Sequence, residues 1–366
     1  MKLTLLSFFF IIIISFFHFS HTTPQNFTSI FSFGDSLADT GNFLLSGALT
    51  FPSISQLPYG MTYFHHPTGR CSDGRLVVDF IAESQGLPLL QPYLAPNQNF
   101  RQGANFAVAG ATAMNPAALI EMGISRYIWT NFSLTTQLQW FDKLKPSLCK
   151  TTQECSEYFK KSLFLVGEIG GNDYNYAFFS GKSAAEVTSL VPRVVSAIAE
   201  TIEGLIERGA VNLVVPGNLP VGCSTAYLTL FATAEKEEYD GRNGCLKKLN
   251  AFARYHNEFL RMAMGELRRK HPNARIIYAD YYGAAMRFAH APRHFGFGMG
   301  ALQTCCGGGG PYNFNVTARC GHPGSHACND PSSYVSWDGI HLTEAAYHHI
   351  AAGLLKGSFT DLPLMT

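Results

Sequence analysis

Five short apolar runs, each followed by a Gly, Pro or Asp, place the strongest constraint on the fold of this chain. They lie at residues 30–33, 104–109, 163–166, 211–215 and 276–279. Runs of four to six residues that are rich in Val, Ile and Phe are typical of strands whose two faces are both buried. The pattern therefore predicts a sheet that is covered by helices on both sides.

Amphipathic stretches separate these runs. Residues 186–208 carry apolar side chains at helical spacing and end before Gly209, a typical helix stop. Residues 245–270 predict a second helix, and Thr343 as a cap predicts a third that continues to about Leu355. Strands that alternate with helices indicate an α/β fold with a parallel sheet. Ligands bind such a fold beyond the carboxyl ends of the strands.

The composition excludes two classes of protein. Charged residues make up 14% of the 366 residues and hydrophobic residues 46%, which excludes an intrinsically disordered chain. Lys and Arg total 27 against 26 for Asp and Glu, so there is no net positive field to attract nucleic acid. We therefore expect no nucleic-acid partner.

The first 22 residues have the pattern of a secretory signal peptide. Lys2 precedes an apolar block that ends near Phe17, and small polar residues follow it. The alternative is a retained membrane anchor, but the block is shorter than the roughly 20 apolar residues of a span. We expect a signal peptide at 1–22, a single domain at 23–366, a secreted or vacuolar location and no membrane attachment after cleavage.

Secretion would expose nine cysteines to an oxidising environment, in which disulfides form. The spacings predict small loops at Cys149–Cys155 and Cys320–Cys328 and a further link at Cys223–Cys245. Because nine is odd, at least one thiol stays free or pairs between chains. A zinc site among the cysteines and histidines of residues 305–328 is the alternative, but it lacks a paired CxxC spacing. We expect disulfides and no metal there, with a flexible loop at the glycine run 307–310.

Three Asn-x-Ser/Thr sequons, at Asn26, Asn131 and Asn315, are candidate glycosylation sites. None has Pro in the middle position, and a glycan would place each of them on the protein surface. The sequons are consistent with passage through a secretory pathway.

Two polar motifs carry the chemistry of a serine nucleophile. Ser36 follows the first predicted strand in Gly-Asp-Ser-Leu, and Asp338 and His341 stand close together near the carboxyl terminus. His341 can accept the proton of Ser36 while Asp338 orients the imidazole ring. A helix cap at Ser36 and a turn at Asp338 are the structural alternatives.

The oxyanion of such a reaction needs hydrogen-bond donors, and two strand ends supply candidates. Asn172 lies in Gly-Gly-Asn-Asp after the third run, and Gly110 follows the second run with a bare backbone N–H. The aromatic residues Tyr174, Tyr176 and Phe178 are candidates for lining an acyl or alcohol pocket, with plain packing as the alternative.

Four blocks occur in order: Gly-Asp-Ser-Leu, Asn-Phe-Ala-x-x-Gly-Ala, Gly-x-Asn-Asp and Asp-x-x-His. With them the chain resembles the plant-type GDSL esterase/lipase family of the SGNH hydrolase superfamily, from about residue 28 to 355. The resemblance implies a three-layer α/β/α sandwich with a five-stranded parallel sheet, similar to flavodoxin.

The resemblance also implies roles for individual residues. Ser36 would be the nucleophile, His341 the general base and then acid, and Asp338 the residue that holds the tautomer of His341. The N–H groups of Ser36 and Gly110 and the side chain of Asn172 would form the oxyanion hole. Nothing in the pattern requires a cofactor or a metal.

We expect a secreted serine esterase whose substrates are small-molecule esters. Similarity to plant esterases of acetylated alkaloids and choline esters favours esters of specialised metabolites. An acyltransferase that passes the acyl group to an alcohol is one alternative, because the same triad serves both reactions. A non-catalytic binding or defence protein on the same scaffold is another, but the presence of Ser36, Asn172 and His341 argues against it.

Overall fold

The computed structural model describes residues 27–125 and 127–364, so the predicted signal peptide and the sequon Asn26 lie outside the described residues. A five-stranded sheet forms the centre, and all of its strand pairs are parallel. In the spatial order β2-β1-β3-β4-β5, its strands are β1 (Ser29–Phe33), β2 (Gly103–Asn105), β3 (Ser162–Val166), β4 (Asn212–Pro216) and β5 (Arg275–Ala279).

Each strand overlaps one of the five apolar runs, so the predicted parallel sheet is confirmed. The second strand is shorter than its run because the chain turns at Asn105. The Oδ1 atom of Asn105 accepts the N–H of Ala107 at 2.9 Å, so the backbone departs from regular strand geometry here. The rest of this run stays alongside the end of β1, where the N–H groups of Phe106 and Val108 donate to the carbonyl oxygens of Ser32 and Gly34 at 2.7 and 3.2 Å.

Helices connect the strands and cover both faces of the sheet. In the described residues they are α1 (Asn42–Leu45), α2 (Val77–Ser84), α3 (Pro116–Glu121), α4 (Leu134–Leu148), α5 (Thr152–Lys160), α6 (Gly171–Phe179), α7 (Ala184–Ser189), α8 (Val191–Glu207), α9 (Thr225–Leu230), α10 (Lys247–Lys270), α11 (Tyr281–His290) and α12 (Glu344–Leu355).

Alternate strand residues point into two separate hydrophobic layers. Phe31 and Phe164 pack in one layer with α4, α8 and α10, whereas Ile30 and Leu163 pack in the other with α2, α11 and α12. Successive side chains of a strand point to opposite faces, so this pattern requires apolar residues at most positions of both faces. The fold is the predicted three-layer α/β/α sandwich.

The predicted helix at 186–208 is divided into two helices, α7 and α8. Pro192 lies in the first turn of α8, where its missing N–H and fixed φ favour a helix start. The predicted stop at Gly209 is confirmed by its φ of 105°. The last helix also begins as predicted, because Oγ1 of Thr343 accepts the N–H of Ala346 at 3.3 Å.

Disulfides, rather than a zinc site, account for the paired cysteines. They are Cys149–Cys155, Cys223–Cys245, Cys305–Cys328 and Cys306–Cys320. The pairs Cys149–Cys155 and Cys223–Cys245 are those predicted. Cys71 keeps a free thiol and is buried.

The predicted loop Cys320–Cys328 is wrong, and a short antiparallel ladder explains why. Strand β6 (Cys306–Gly307) pairs with β7 (His326–Ala327), with Cys306 opposite Ala327. This register brings the residue before Cys306 next to Cys328, whereas Cys306 itself faces the other side of the strand. Gly307, predicted to open a flexible loop, belongs to this ladder.

Two of the predicted surface features fall on described residues. Asn131 is exposed and Asn315 is half-buried, and their glycosylation stays a prediction. Within 27–125 and 127–364, none of the helices has the length and apolar content that a membrane crossing requires.

Candidate active site

Ser36 lies at the carboxyl end of β1, in the tight turn that leads toward α1. Gly34 has a φ of 147°, and a Cβ atom there would come within 2.9 Å of the carbonyl oxygen of Glu168. Glycine is therefore needed where the ends of β1 and β3 approach each other. The turn leaves Ser36 8% exposed on the wall of a cavity.

Asp338 and His341 lie in the loop before α12, and the fold brings both to Ser36. The Nε2 atom of His341 is 2.8 Å from Oγ of Ser36, and its Nδ1 is 2.7 Å from Oδ2 of Asp338. The other carboxylate oxygen, Oδ1, accepts the N–H groups of Ile340 and His341 at 3.1 and 2.9 Å. The three predicted residues thus form one continuous hydrogen-bonded chain.

Burial and charge act in opposite directions on this pair. Burial alone would raise the pKa of Asp338, but the charge of His341 and the hydrogen bonds outweigh it and lower the pKa to about 2. Burial also disfavours a charged His341, yet the Asp338 carboxylate raises the pKa of His341 well above its usual value. At neutral pH, Asp338 is therefore an anion that stabilises the protonated form of its neighbour.

Asn172 lies in the first turn of α6 and lines the same cavity as Ser36. Its Nδ2 donates to the carbonyl oxygen of Ala111 at 3.0 Å and to Oδ2 of Asp35 at 3.1 Å. These two acceptors fix the orientation of the amide beside the serine turn.

Gly110 is not among the residues that line this cavity, but Tyr176, which contacts Gly110, is. The φ of Gly110, 80°, is in the left-handed region, and its carbonyl oxygen accepts the hydroxyl of Tyr176 at 2.7 Å. Among the described residues, the backbone N–H groups of Ser36 and Gly110 have no backbone acceptor. Both groups are therefore available as donors to a further acceptor.

The cavity has a volume of about 670 Å³ and lies across the carboxyl edge of the sheet. Its aromatic wall belongs to the hydrophobic layer that contains α8 and α10 and consists of Phe51, Tyr59, Tyr127, Trp129, Tyr176, Phe178, Phe179, Tyr227 and Phe231. Its mainly aliphatic wall belongs to the other layer and consists of Leu37, Leu219, Ala285, Phe288, Ala301, Val335 and Leu342.

Two of the three aromatic residues proposed for the pocket do line it. Tyr176 and Phe178 face the cavity. Tyr174 instead packs edge-to-face on Phe252, with its hydroxyl 2.7 Å from Nδ1 of His256. Phe178, one turn later in α6, packs on the same Phe252 ring but also reaches the cavity.

Comparison with known proteins decides the family. The family model described as "GDSL-like Lipase/Acylhydrolase" matches residues 30–354. The chain belongs to this family. It is 55% identical over 340 residues to an Arabidopsis thaliana protein, GDSL esterase/lipase At5g45910, and the match covers 91% of each chain.

Another GDSL esterase/lipase of Arabidopsis thaliana, At1g28600, is 50% identical over 346 residues, which are 94% of this chain and 88% of that protein. A solved structure, phospholipase A1 from Streptomyces albidoflavus NA297, aligns over 90% of this chain and 99% of that chain, with a TM-score of 0.39 and 11% identity. As a GDSL-family member at this level of identity to named esterase/lipases, the chain is a carboxylic-ester hydrolase.

A group of buried carboxyls that was not predicted from the sequence surrounds the site of this GDSL esterase. Burial raises the pKa values of Asp35 and Asp173 to about 7. Burial, and then the nearby Asp35 charge, raise the pKa of Glu168 well above its usual value. Asp35 and Glu168 line the cavity next to Ser36. Asp35 belongs to the Gly-Asp-Ser-Leu block, but only Ser36 of that block was assigned a role from the sequence.

Two further residues contact the Asp338–His341 pair and were also missed. The hydroxyl of Tyr59 donates to Oδ2 of Asp338 at 2.8 Å. The thiol of Cys71 lies beside the ring of His341, and burial raises the pKa of this thiol. Tyr59 is outside all four sequence blocks and 279 positions away from Asp338, so no local pattern indicates their contact.

Proposed function

We propose that this chain hydrolyses carboxylic esters through an acyl-enzyme on Ser36. The observation that carries the proposal is the hydrogen-bonded chain from Oγ of Ser36 through His341 to Asp338, with contacts of 2.8 and 2.7 Å. A nucleophile, a base and an orienting acid in this order are the requirement for activating a serine hydroxyl.

In this mechanism Oγ of Ser36 attacks the acyl carbonyl while Nε2 of His341 takes its proton. Asp338 stabilises the imidazolium, which then protonates the leaving alcohol. A water molecule repeats the sequence on the acyl-enzyme, with His341 again as the base, and releases the acid. The free serine is restored at the end of the cycle.

The N–H groups of Ser36 and Gly110 and the Nδ2 of Asn172 would stabilise the oxyanion. The absence of backbone acceptors for the two N–H groups among the described residues supports this role. Asn172 would exchange its contact with Asp35 for the oxyanion. One such donor contributes about 3–4 kcal/mol to transition-state stabilisation in a well-studied hydrolase.

The reaction requires neutral His341, and this requirement sets its pH dependence. Because Asp338 raises the pKa of His341, the neutral form accumulates only above the usual histidine range. We expect kcat/KM to increase as the pH rises from about 6.5 and to level off above the raised pKa. A profile of kcat/KM that is already flat at pH 6 would contradict this assignment of the base.

We propose small esters, including esters of specialised metabolites, as the substrates. A volume of about 670 Å³ is within the range of pockets that enclose a single small molecule. The mostly apolar walls favour an apolar acyl or alcohol group on each side of the reacting carbonyl.

The first experiment measures hydrolysis of p-nitrophenyl esters from acetyl to palmitoyl by the folded protein, Ser36→Ala and Ser224→Ala. Ser224 also lines the cavity, and its hydroxyl donates to the carbonyl oxygen of Gly339, so it is a matched control. We expect Ser36→Ala to lower kcat about 10⁴–10⁶-fold and Ser224→Ala to change it little.

Equal rates for the wild type and Ser36→Ala would refute Ser36 as the nucleophile. Transfer of the acyl group to added glycerol, with no free acid formed, would favour acyl transfer over hydrolysis. The chain length with the highest kcat/KM identifies the size of the acyl group that the cavity accepts.

We also propose a secreted or vacuolar location with glycans on Asn131 and Asn315. The four disulfides support an oxidising compartment. Digestion of the protein from its native cells with a peptide N-glycosidase would lower its apparent mass if these sites are occupied. Isolation of the protein with reduced cysteines from the cytosol would contradict the proposal.

A further inference from the structure

The carboxylate of Asp338 accepts hydrogen bonds from two different parts of the chain. Its own turn supplies three donors, the N–H groups of Ile340 and His341 and the Nδ1 of His341. The hydroxyl of Tyr59 supplies another, at 2.8 Å from Oδ2. Oδ2 is also the oxygen that binds Nδ1 of His341, so Tyr59 and His341 share one acceptor atom.

Packing holds Tyr59 in this position. Its side chain is 1% exposed, and its ring makes edge-to-face contacts with Phe51 and Trp337, each with centroids 5.9 Å apart. The ring of Phe51 in turn lies nearly parallel to that of His341, with centroids 6.5 Å apart. Phe51 therefore packs against both Tyr59 and His341, the two residues whose side chains donate to Oδ2. Because Tyr59 is buried, its hydroxyl cannot turn to solvent.

We propose that Tyr59 is a positioning residue for hydrolysis, because its hydroxyl holds Oδ2 of Asp338 against His341 and limits how strongly Asp338 attracts the imidazole proton. This inference rests on the proposed roles of Ser36, His341 and Asp338 in the reaction. Tyr59 touches no reacting atom and acts entirely through the carboxylate.

The shared acceptor determines the direction of the effect. Two donors on one carboxylate oxygen divide its negative charge, so each bond is weaker than it would be alone. Removal of the Tyr59 hydroxyl leaves Asp338 a stronger acceptor for Nδ1 of His341. The imidazolium then persists to a higher pH, and less of the enzyme has the neutral base.

Other titratable groups face His341, and the test must leave them in place. They are Asp338 on its own loop, Asp35 on the serine turn and Cys71 on the segment before α2. Arg319 is the charged side chain that faces Tyr59 from the disulfide-linked loop. Tyr59→Phe removes a single hydroxyl and alters none of these groups.

The experiment compares the pH profiles of kcat and kcat/KM for the wild type, Tyr59→Phe and the matched control Tyr174→Phe. The Tyr174 hydroxyl is also buried and hydrogen-bonded, to Nδ1 of His256 at 2.7 Å, but it does not line the cavity. For Tyr59→Phe we expect the acid limb to move up by about 0.5–1 pH unit and kcat to fall about three- to tenfold, with KM changed less than about twofold.

Tyr174→Phe should keep the wild-type profile even if both variants have a lower Tm. If Tyr59→Phe has a lower Tm but an unshifted acid limb, Tyr59 is only a packing residue and the proposal fails. Replacement of Tyr59 by 3-fluorotyrosine tests the same idea in a side chain of nearly native shape. Its more acidic hydroxyl is a better donor, so the acid limb should move to lower pH, and an upward shift would overturn the proposal.

Failure of the proposed function gives a different result. In that case Ser36→Ala hydrolyses esters as fast as the wild type, and no profile can be assigned to His341. If Ser36→Ala is inactive while Tyr59→Phe matches the wild type at every pH, the triad stands and the role of Tyr59 is refuted.

Discussion

Two buried histidines in this GDSL esterase have opposite acid–base behaviour. His256, in α10, is 0% exposed, and burial lowers its pKa to about 3. His341 is 4% exposed, but its pKa is raised well above the usual value. Burial disfavours the imidazolium in both places, so another feature must account for the difference.

The partner of Nδ1 accounts for it. Nδ1 of His256 meets the neutral hydroxyl of Tyr174 at 2.7 Å, whereas Nδ1 of His341 meets the carboxylate of Asp338 at 2.7 Å. A neutral partner cannot offset the desolvation of a charge, but an anion can. At the active site, the tyrosine is Tyr59, and its hydroxyl donates to the carboxylate of Asp338 rather than contacting the ring of His341. The comparison indicates that the adjacent anion, and not burial, raises the pKa of His341.

The largest expected effect comes from removing that anion. Asp338→Asn places an NH₂ donor or an uncharged oxygen beside Nδ1, so His341 loses its charged partner and takes the wrong tautomer. We expect kcat to fall about 10³–10⁴-fold at the pH optimum. Measurement of kcat with the best p-nitrophenyl ester tests this, with far-UV circular dichroism as the folding control. A loss smaller than about tenfold would contradict the role of Asp338.

An intermediate effect is expected for the stability contribution of His256. Its folded pKa of about 3 is below the unfolded value of 6.5, so the unfolded state binds more protons between these limits. The free energy of unfolding should therefore decrease as the pH falls from 6.5 toward 3, by up to about 4 kcal/mol from this residue.

Urea unfolding at pH 7, 6 and 5 of the wild type and His256→Asn isolates this contribution. Asp35 and Asp173 have raised pKa values, so they increase the free energy of unfolding as the pH falls and oppose the effect of His256. The two carboxyls are present in both proteins, so their contribution cancels in the difference in free energy of unfolding between the wild type and His256→Asn. We expect the stability difference to shrink as the pH falls, while kcat/KM stays at the wild-type value. A constant difference across this range would show that His256 titrates normally.

The smallest effect is expected at a partly exposed histidine–carboxylate pair. His271 and Glu203 are 2.8 Å apart, with side chains 20% and 26% exposed. Water screens such a pair, so Glu203→Gln should change Tm by less than about 2 °C and leave kcat/KM unaltered. A thermal melt of the variant tests this prediction. If Glu203→Gln lost as much activity as Asp338→Asn, the length of a histidine–carboxylate contact, and not its burial, would determine its contribution to activity.

The sequence was sufficient for the parts of the molecule that depend on local pattern. The apolar runs predicted each strand of the sheet, because strands buried on both faces need mostly apolar residues. The cap at Thr343 predicted the start of α12, since an N-cap hydroxyl acts within one turn. Ser36, Asp338 and His341 were found in the same way, because each stands in a short block beside a strand or a helix.

The errors arose where distant segments meet. The disulfides Cys305–Cys328 and Cys306–Cys320 depend on the register between β6 and β7, which spacing along the chain does not reveal. The split of the helix at 186–208 is an exception, because it depends on a local feature, one proline within a continuous apolar pattern. The aromatic side chains of α6 were placed by proximity to Asn172, and only the packing of the helix separated Tyr174 from the cavity.

The strands of the sheet, their order along the chain and the residues proposed to react were predicted from the sequence alone. The tertiary structure decided which groups adjust those reacting groups. Tyr59 reaches Asp338, and Glu168 reaches the turn of Ser36, only because parallel strands and their following loops converge at one edge of the sheet. Electrostatic interactions and burial depend on distance in space rather than along the chain, so the different pKa values of His256 and His341 follow from the folded structure.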